Sequence, residues 1–142
     1  MLPLQYIREA SDRIAEAMDK RGLDARPILS DILKLDEERR DLQTRLDQTL
    51  AEANRKSKEI GAMFKAGKGA EAQSLKEESS RLKEDSKELQ ELLNQAAEAL
   101  QESLYLLPNV PHSSVPAGQD EADNEVVLEK GVIPTLGENA LP

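Results

Sequence analysis

"ILKLDEERRDLQTRLDQTLAEANRKSKEIGAMFKAGKGA", from Ile32 to Ala70, is the stretch whose spacing decides the fold. Ile32, Leu35, Arg39, Leu42, Leu46, Thr49, Ala53, Lys56, Ile60 and Met63 recur at alternating steps of three and four. Seven of these ten are apolar, which marks one stripe as the buried side of a helix. A mean period of about 3.5 is that of a coiled coil. "KAGKGA" then sets two glycines where a helix would have to continue, and breaks it. The same spacing resumes at Ala72, Leu75, Ser79, Leu82, Ser86, Leu89, Leu93, Ala96, Leu100, Ser103 and Leu107, eight of the eleven apolar. Pro108 ends the run, because proline cannot continue the hydrogen-bond ladder.

Two helices joined by so short a link must lie antiparallel. The spacing predicts arm helices over about 27–65 and 70–106, with a tip at 66–69. Upstream, Ile7, Ala10, Ile14 and Ala17/Met18 share one face of a helix over 4–20. Pro3 suits its first position and Gly22 its stop. Asp24 or a neighbour caps the second helix, and Pro27 fits in its first turn. The expected fold is all-α: a long antiparallel two-helix coiled-coil hairpin, a short N-terminal helix packed at its base, and an extended, mostly irregular C-terminal linker. The helical part is expected over 1–107 and the linker over 108–142. Large Leu and Ile side chains crowd the base of the seam. Ser79, Ser86, Thr49, Ala53 and Lys56 thin it toward the tip, which predicts a firm base and a more mobile outer half. Pairing of this seam with a second coil is the plain alternative.

Composition agrees with an elongated shape. The 142 residues include only three aromatics, Tyr6, Phe64 and Tyr105, while one third are charged. With no cysteine there is no disulfide framework and no thiolate metal site, which fits a cytoplasmic protein. The N-terminus lacks a basic region followed by an apolar run, so no signal peptide is expected, and no segment is apolar enough to span a membrane. The tail from Pro108 is rich in Pro, Gly and acids, with one strand-like run at Glu125–Leu128, and cannot fold alone. A chain stopping within such a segment reads as cut from a longer protein.

Charge is segregated along the chain. The formal total is -9, yet residues 54–87 carry nine basic and six acidic side chains, a net of +3. Within 54–70, Arg55, Lys56, Lys58, Lys65 and Lys68 face one acid, Glu59. Basic residues on an exposed helix are usually solvated and paired with Glu at i,i+4. The mixed face of Glu77–Arg81, Glu84–Glu88 and Lys83–Lys87 fits that reading, but 54–68 does not. Only this middle region offers a surface to a polyanion.

Catalytic chemistry is absent from the pattern. His112 is the single histidine and has no partner for zinc, so a local role in its loop is expected. "GAMFKAGKGA" resembles a phosphate loop only loosely: Gly61 to Gly67 is one residue too long and no Ser or Thr follows Lys68. The carboxylates lie on solvated helix faces, with no pocket to perturb them.

Two motifs add a resemblance. "LDEERRDLQTRLDQTLAEANRKSKEIG", Leu35 to Gly61, resembles the arm signature of bacterial seryl-tRNA synthetases, L-D-x-x-R-R followed by R-N-x-x-S-K-x-I-G, with Ala53 where Arg is often found. "LLPNVPHSSVPAGQDEADN", Leu106 to Asn124, resembles that family's linker into its catalytic core, and "KGVIPTLGENALP" the entry to the core. The resemblance implies a class II serine–tRNA ligase that activates serine with ATP and magnesium in a core outside this chain, so the chain itself carries no cofactor and no catalytic residue. It implies a homodimer joined through that core. It also implies an N-terminal arm that lies on the long variable arm and elbow of serine tRNA.

The residues suit that task. A-form RNA is recognised by shape and backbone, which a rigid basic rod can follow. The candidate contacts are Asn54, Arg55, Ser57, Lys58, Lys65 and Lys68, with Lys76, Arg81 and Lys83 from the facing helix. Lys56 falls on the seam, where bridging or snorkelling competes with RNA contact. Gly61 either permits a close approach or thins the seam. Phe64 suits packing within the tip better than stacking on a base. A coiled-coil adaptor or chaperone-like hairpin is the competing reading. It requires exposed apolar residues at the tip, where only Met63 and Phe64 qualify.

Overall fold

In the computed structural model residues 1–70, 72–118 and 120–132 are described. Three α-helices follow in order: α1 Leu4–Asp19, α2 Arg26–Lys65 and α3 Ala72–Leu106. A single 3-10 turn, Glu121–Asp123, follows in the linker. α2 and α3 form the antiparallel hairpin, about 60 Å and 52 Å long at 1.5 Å per residue. α1 packs across its base.

The heptad reading locates the seam. All ten α2 positions and all eleven positions from Ala72 to Leu107 are buried or half-buried, and none is exposed. The packing is uneven. At the base, Ile7, Ile14, Ala15 and Met18 of α1 meet Leu29 and Ile32 of α2 and Leu100 and Leu104 of α3 in one cluster. Leu42 and Leu46 meet Leu89, Leu93 and Ala96 in a second. Farther out, the buried residues are small, Ala53, Ala72 and Ser79. Each buried Leu or Ile contributes about 1.5–3 kcal/mol, so the stabilising area lies in the inner half.

Two glycines close helices. Gly22 and Gly67 have φ of +67° and +74°, in the left-handed region that side chains rarely adopt. At the tip the Gly67 amide donates to the Phe64 carbonyl, and the Lys68 amide to that of Met63. This is a Schellman closure, which satisfies carbonyls the helix end would leave orphaned. At the end of α1 the Leu23 amide donates to Met18 in the same way, and Leu23 packs on the base cluster.

Three details differ from the sequence reading. α1 bends at Ala10, which leaves the helical region at φ -135°. The N-cap of α2 is Ala25, without a side-chain bond; its methyl group is buried in the base. Asp24 instead accepts from the Arg26 amide at 3.2 Å, and the Arg26 guanidinium bridges Asp24 and Asp19. That ion pair holds the Asp19 carboxyl below the usual range, chiefly through its hydrogen bond from Arg26. Glu125–Leu128 forms no strand among the described residues; Val126, Val127 and Leu128 stay exposed because no neighbouring strand pairs with them. Of the stretch read as a core entry, 130–142, the part from 133 on lies outside the described residues.

The linker does not leave the base at once. The Gly118 amide donates to the Lys20 carbonyl at 3.0 Å, and Arg21 reaches the Asn109 carbonyl. His112 has the expected local role: its Nδ1 lies 2.8 Å from the Ser114 hydroxyl in an exposed turn.

Candidate nucleic-acid interface

The seam fixes where every other side chain of the hairpin points, because successive helical residues turn by about 100°. The hairpin is a ribbon with two broad faces. Contacts across it verify which positions share a face. On one face Lys76 Nζ sits 5.8 Å from the centre of the Phe64 ring. On the other, Lys56 pairs across the seam with Glu78, beside a groove lined by Glu52, Arg81, Leu82 and Asp85.

The nine candidate residues divide between these faces. Asn54, Ser57, Lys76 and Lys83 project on the Phe64 face, together with Gly61 and Lys87. Arg55 and Arg81 project on the other, Arg81 also bordering the ridge hollow that Lys76 shares with Glu77, Ser80 and Glu84. Arg55 lies 3.7 Å from Glu52, and Arg81 is close enough to Glu78 to help hold its carboxyl below the usual range, after the larger effect of the Lys56 hydrogen bond. Lys58 and Lys65 lie on the outer ridge of α2, away from both the seam and α3. Lys68 stands in the tip itself. Among the described residues Lys58, Lys65, Lys83 and Lys87 have no ion-pair partner.

Several side chains resolve the open alternatives. Lys56 is a bridge: it is 15% exposed and pairs with Glu78, so the seam holds it as an intramolecular cation. Phe64 is 51% exposed, but its ring lies between Lys76 and Gly69, where a Cβ on Gly69 would stand 3.3 Å from the ring. It packs the tip. Met63 is half-buried. Gly61 is exposed, and a Cβ added there would meet nothing within 4 Å. It therefore does not serve packing within the chain.

The sequence reading missed two features. Lys87 falls with Lys83 on the Phe64 side of α3, bordered by Glu84 on the outer ridge; the i,i+4 reading had set the pair within a mixed surface without separating the two sides. Assigning heptad positions on both helices would have separated the faces. The second feature is Asp36, which is fully buried at the base. Arg39 Nη2 lies 3.2 Å from its Oδ1, while Arg40 Nε and Arg8 Nε stand 3.2 and 3.5 Å from Oδ2. The contacts to Oδ2 are ionic and not aligned as hydrogen bonds. The L-D-x-x-R-R signature thus has a physical content. One carboxylate on α2 gathers the arginines three and four residues later, and Arg8 ties α1 to them.

Comparison with known proteins bears on this geometry. The family model of the seryl-tRNA synthetase N-terminal domain matches residues 1–111. The chain belongs to this family of helical arm domains. The serine–tRNA ligase of Salinibacter ruber is 41% identical over all of this chain, which spans 33% of that protein. That of Thermotoga neapolitana is 42% identical over 92% of this chain and 31% of that protein. The chain thus spans about a third of the curated relatives it matches. The crystal structure of seryl-tRNA synthetase from Pyrococcus horikoshii complexed with ATP superposes with a TM-score of 0.77, at 32% identity over 87% of this chain and 28% of that one.

Proposed function

We propose that this chain is the tRNA-binding arm of a serine–tRNA ligase, with residues 1–107 forming the arm and 108–142 the linker. It engages the long variable arm and elbow of serine tRNA in the cytoplasm. Serine activation with ATP and magnesium, and dimerisation, belong to the further two-thirds that the relatives possess. The observation that carries this reading is the family match together with the cations on the outer half of a rod that is acidic elsewhere. Phosphate contacts position an RNA and carry little sequence information. Selection then rests on whether the tRNA offers a long extra arm for the rod to touch. Asn54, Arg55, Ser57, Lys58, Lys65, Lys68, Lys76, Arg81 and Lys83 are the proposed contacts. The adaptor reading is less favoured, because the exposed apolar surface at the tip is one ring, Phe64, which Lys76 partly covers, while Met63 is half-buried. No helix among the described residues is long and apolar enough to cross a membrane.

A salt titration tests the proposal. Binding of this chain is compared for serine tRNA and for the same tRNA stripped of its variable arm. The expected result is preference for the intact tRNA, with affinity falling steeply as salt rises through counterion release. Equal binding to both forms across the titration would reject the reading.

A further inference from the structure

The two faces of the hairpin's outer half differ in charge although they share the same helices. One face carries Lys76, Lys83 and Lys87 from α3, with Asn54 and Ser57 from α2; its carboxylates stand at its margins, Asp47 beside Gln43 toward the base and Glu77 and Glu84 along the outer ridge of α3. The three lysines span about 16 Å along the helix, at 1.5 Å per residue. The opposite face carries Arg45, Arg55 and Arg81, but Glu52, Glu59, Glu78, Asp85 and Glu88 stand around them. Those arginines are compensated: Arg45 lies 3.8 Å from Asp41 and Arg55 3.7 Å from Glu52. A polyanion approaching the second face meets carboxylates at every turn. On the first it meets three lysines and neutral hydrogen-bonding groups across the middle, with carboxylates at the margins.

Gly61 supplies an independent observation. It sits in the interior of α2 on the lysine face, exposed, with open space where its side chain would be. Glycine disfavours a helix interior. Neither a turn, a positive φ nor a close neighbour within the chain requires it here. A bare main chain on a lysine-lined face leaves room for a close approach from outside.

We propose that the RNA duplex lies on one face only, that of Lys76, Lys83 and Lys87, with its ribose-phosphate backbone against the α2 main chain at Gly61. The carboxylate-rich face turns away from it. This rests on the tRNA-binding reading and sharpens it. It narrows the contact set proposed above: Asn54, Ser57, Lys76 and Lys83 stay in it, Lys87 joins them, and Arg55 and Arg81 leave it.

Two triple variants remove equal charge from the two faces: Lys76→Gln/Lys83→Gln/Lys87→Gln and Arg45→Gln/Arg55→Gln/Arg81→Gln. Each is titrated with serine tRNA bearing its intact variable arm, and circular dichroism establishes that each is folded. The lysine triple is expected to lose about ten-fold or more in affinity at low salt, with a salt slope shallower by about 0.7–0.9 for each phosphate no longer neutralised. The arginine triple is expected to bind within about two-fold of the parent. Gly61→Ala separates folding from binding: its thermal midpoint rises while its affinity falls. Equal losses in the two triples overturn the one-face assignment and leave the tRNA reading standing. Parental affinity in Gly61→Ala overturns the close approach at that residue. A parent chain indifferent to the variable arm overturns the assignment together with the reading on which it rests.

Discussion

Asp36 shows how much one side chain can decide. Its carboxyl is buried beneath three guanidinium groups, each partly open to water. Replacing a buried charge by an apolar group of equal shape can be neutral, but removing one partner is costly. Here the arginines left behind can turn outward and rehydrate, which softens the loss. Asp36→Ala is therefore expected to lower stability by about 1.5–3 kcal/mol, the range of hydrogen bonds to charged groups. Urea unfolding checks this, and a midpoint equal to the parent's would show that the cluster contributes nothing. Arg8→Ala tests the link to α1 separately, since Arg39 and Arg40 remain to hold the acid.

The sequence did not disclose Asp36, and the reason is physical. Periodicity counts apolar residues, and a charged residue between Leu35 and Glu37 reads as solvated surface. Its burial depends on α1 crossing over it, a tertiary fact. Arg39 stood on the predicted seam and is half-buried there, so the pattern placed one member of the cluster correctly.

At the scale of elements, the hairpin was legible because a heptad stripe of twenty-one positions overdetermines the buried side. The bounds of the helices fell within a residue or two of the spacing, since Gly22, Gly67 and Pro108 are punctuation with a backbone cause. The division of the candidate contacts between two faces was not read, because positions were weighed along each helix and not around it. The Lys56–Glu78 bridge was half-read: the seam position was plain, its partner on the facing helix was not. This bridge gives the outer hairpin a pH dependence of definite sign. The Glu78 carboxyl is lowered in the folded state, first by its hydrogen bond with Lys56 and then by the charge of that lysine. A lowered acid contributes stability that is complete above the unfolded value and is lost as pH falls through the folded one. Comparing the parent with Glu78→Gln from about pH 6 to about pH 3 should show a stability difference that shrinks toward acid. A difference constant across that window would exclude the bridge as its source. Because Glu78 is exposed, the effect should also diminish as salt rises.

Over the whole molecule, the packing gradient and the charge pattern run along the same axis. Every large, fully buried side chain belongs to the base, where Ile7, Ile14, Met18, Leu29 and Ile32 exclude water completely. Beyond Leu46 and Leu89 the seam is built from Ala53, Ser79 and Ala72, with Ile60, Met63, Leu75 and Leu82 only half-buried. Local opening costs least where few apolar contacts must break. Amide exchange of the free chain should therefore rank protection from base to tip: slowest near Ile32 and Leu100, intermediate near Leu46 and Leu89, fastest beyond Ala53 on both arms. The acidic base and the basic outer half then acquire a joint sense. The part proposed to meet RNA is the part least held by its own core, so binding can order it. Adding serine tRNA should slow exchange in the outer half and leave the base unchanged. Uniform protection along both helices in the free chain would show that the small seam residues pack as firmly as the leucines. In that case the hairpin would meet its partner as a rigid rod.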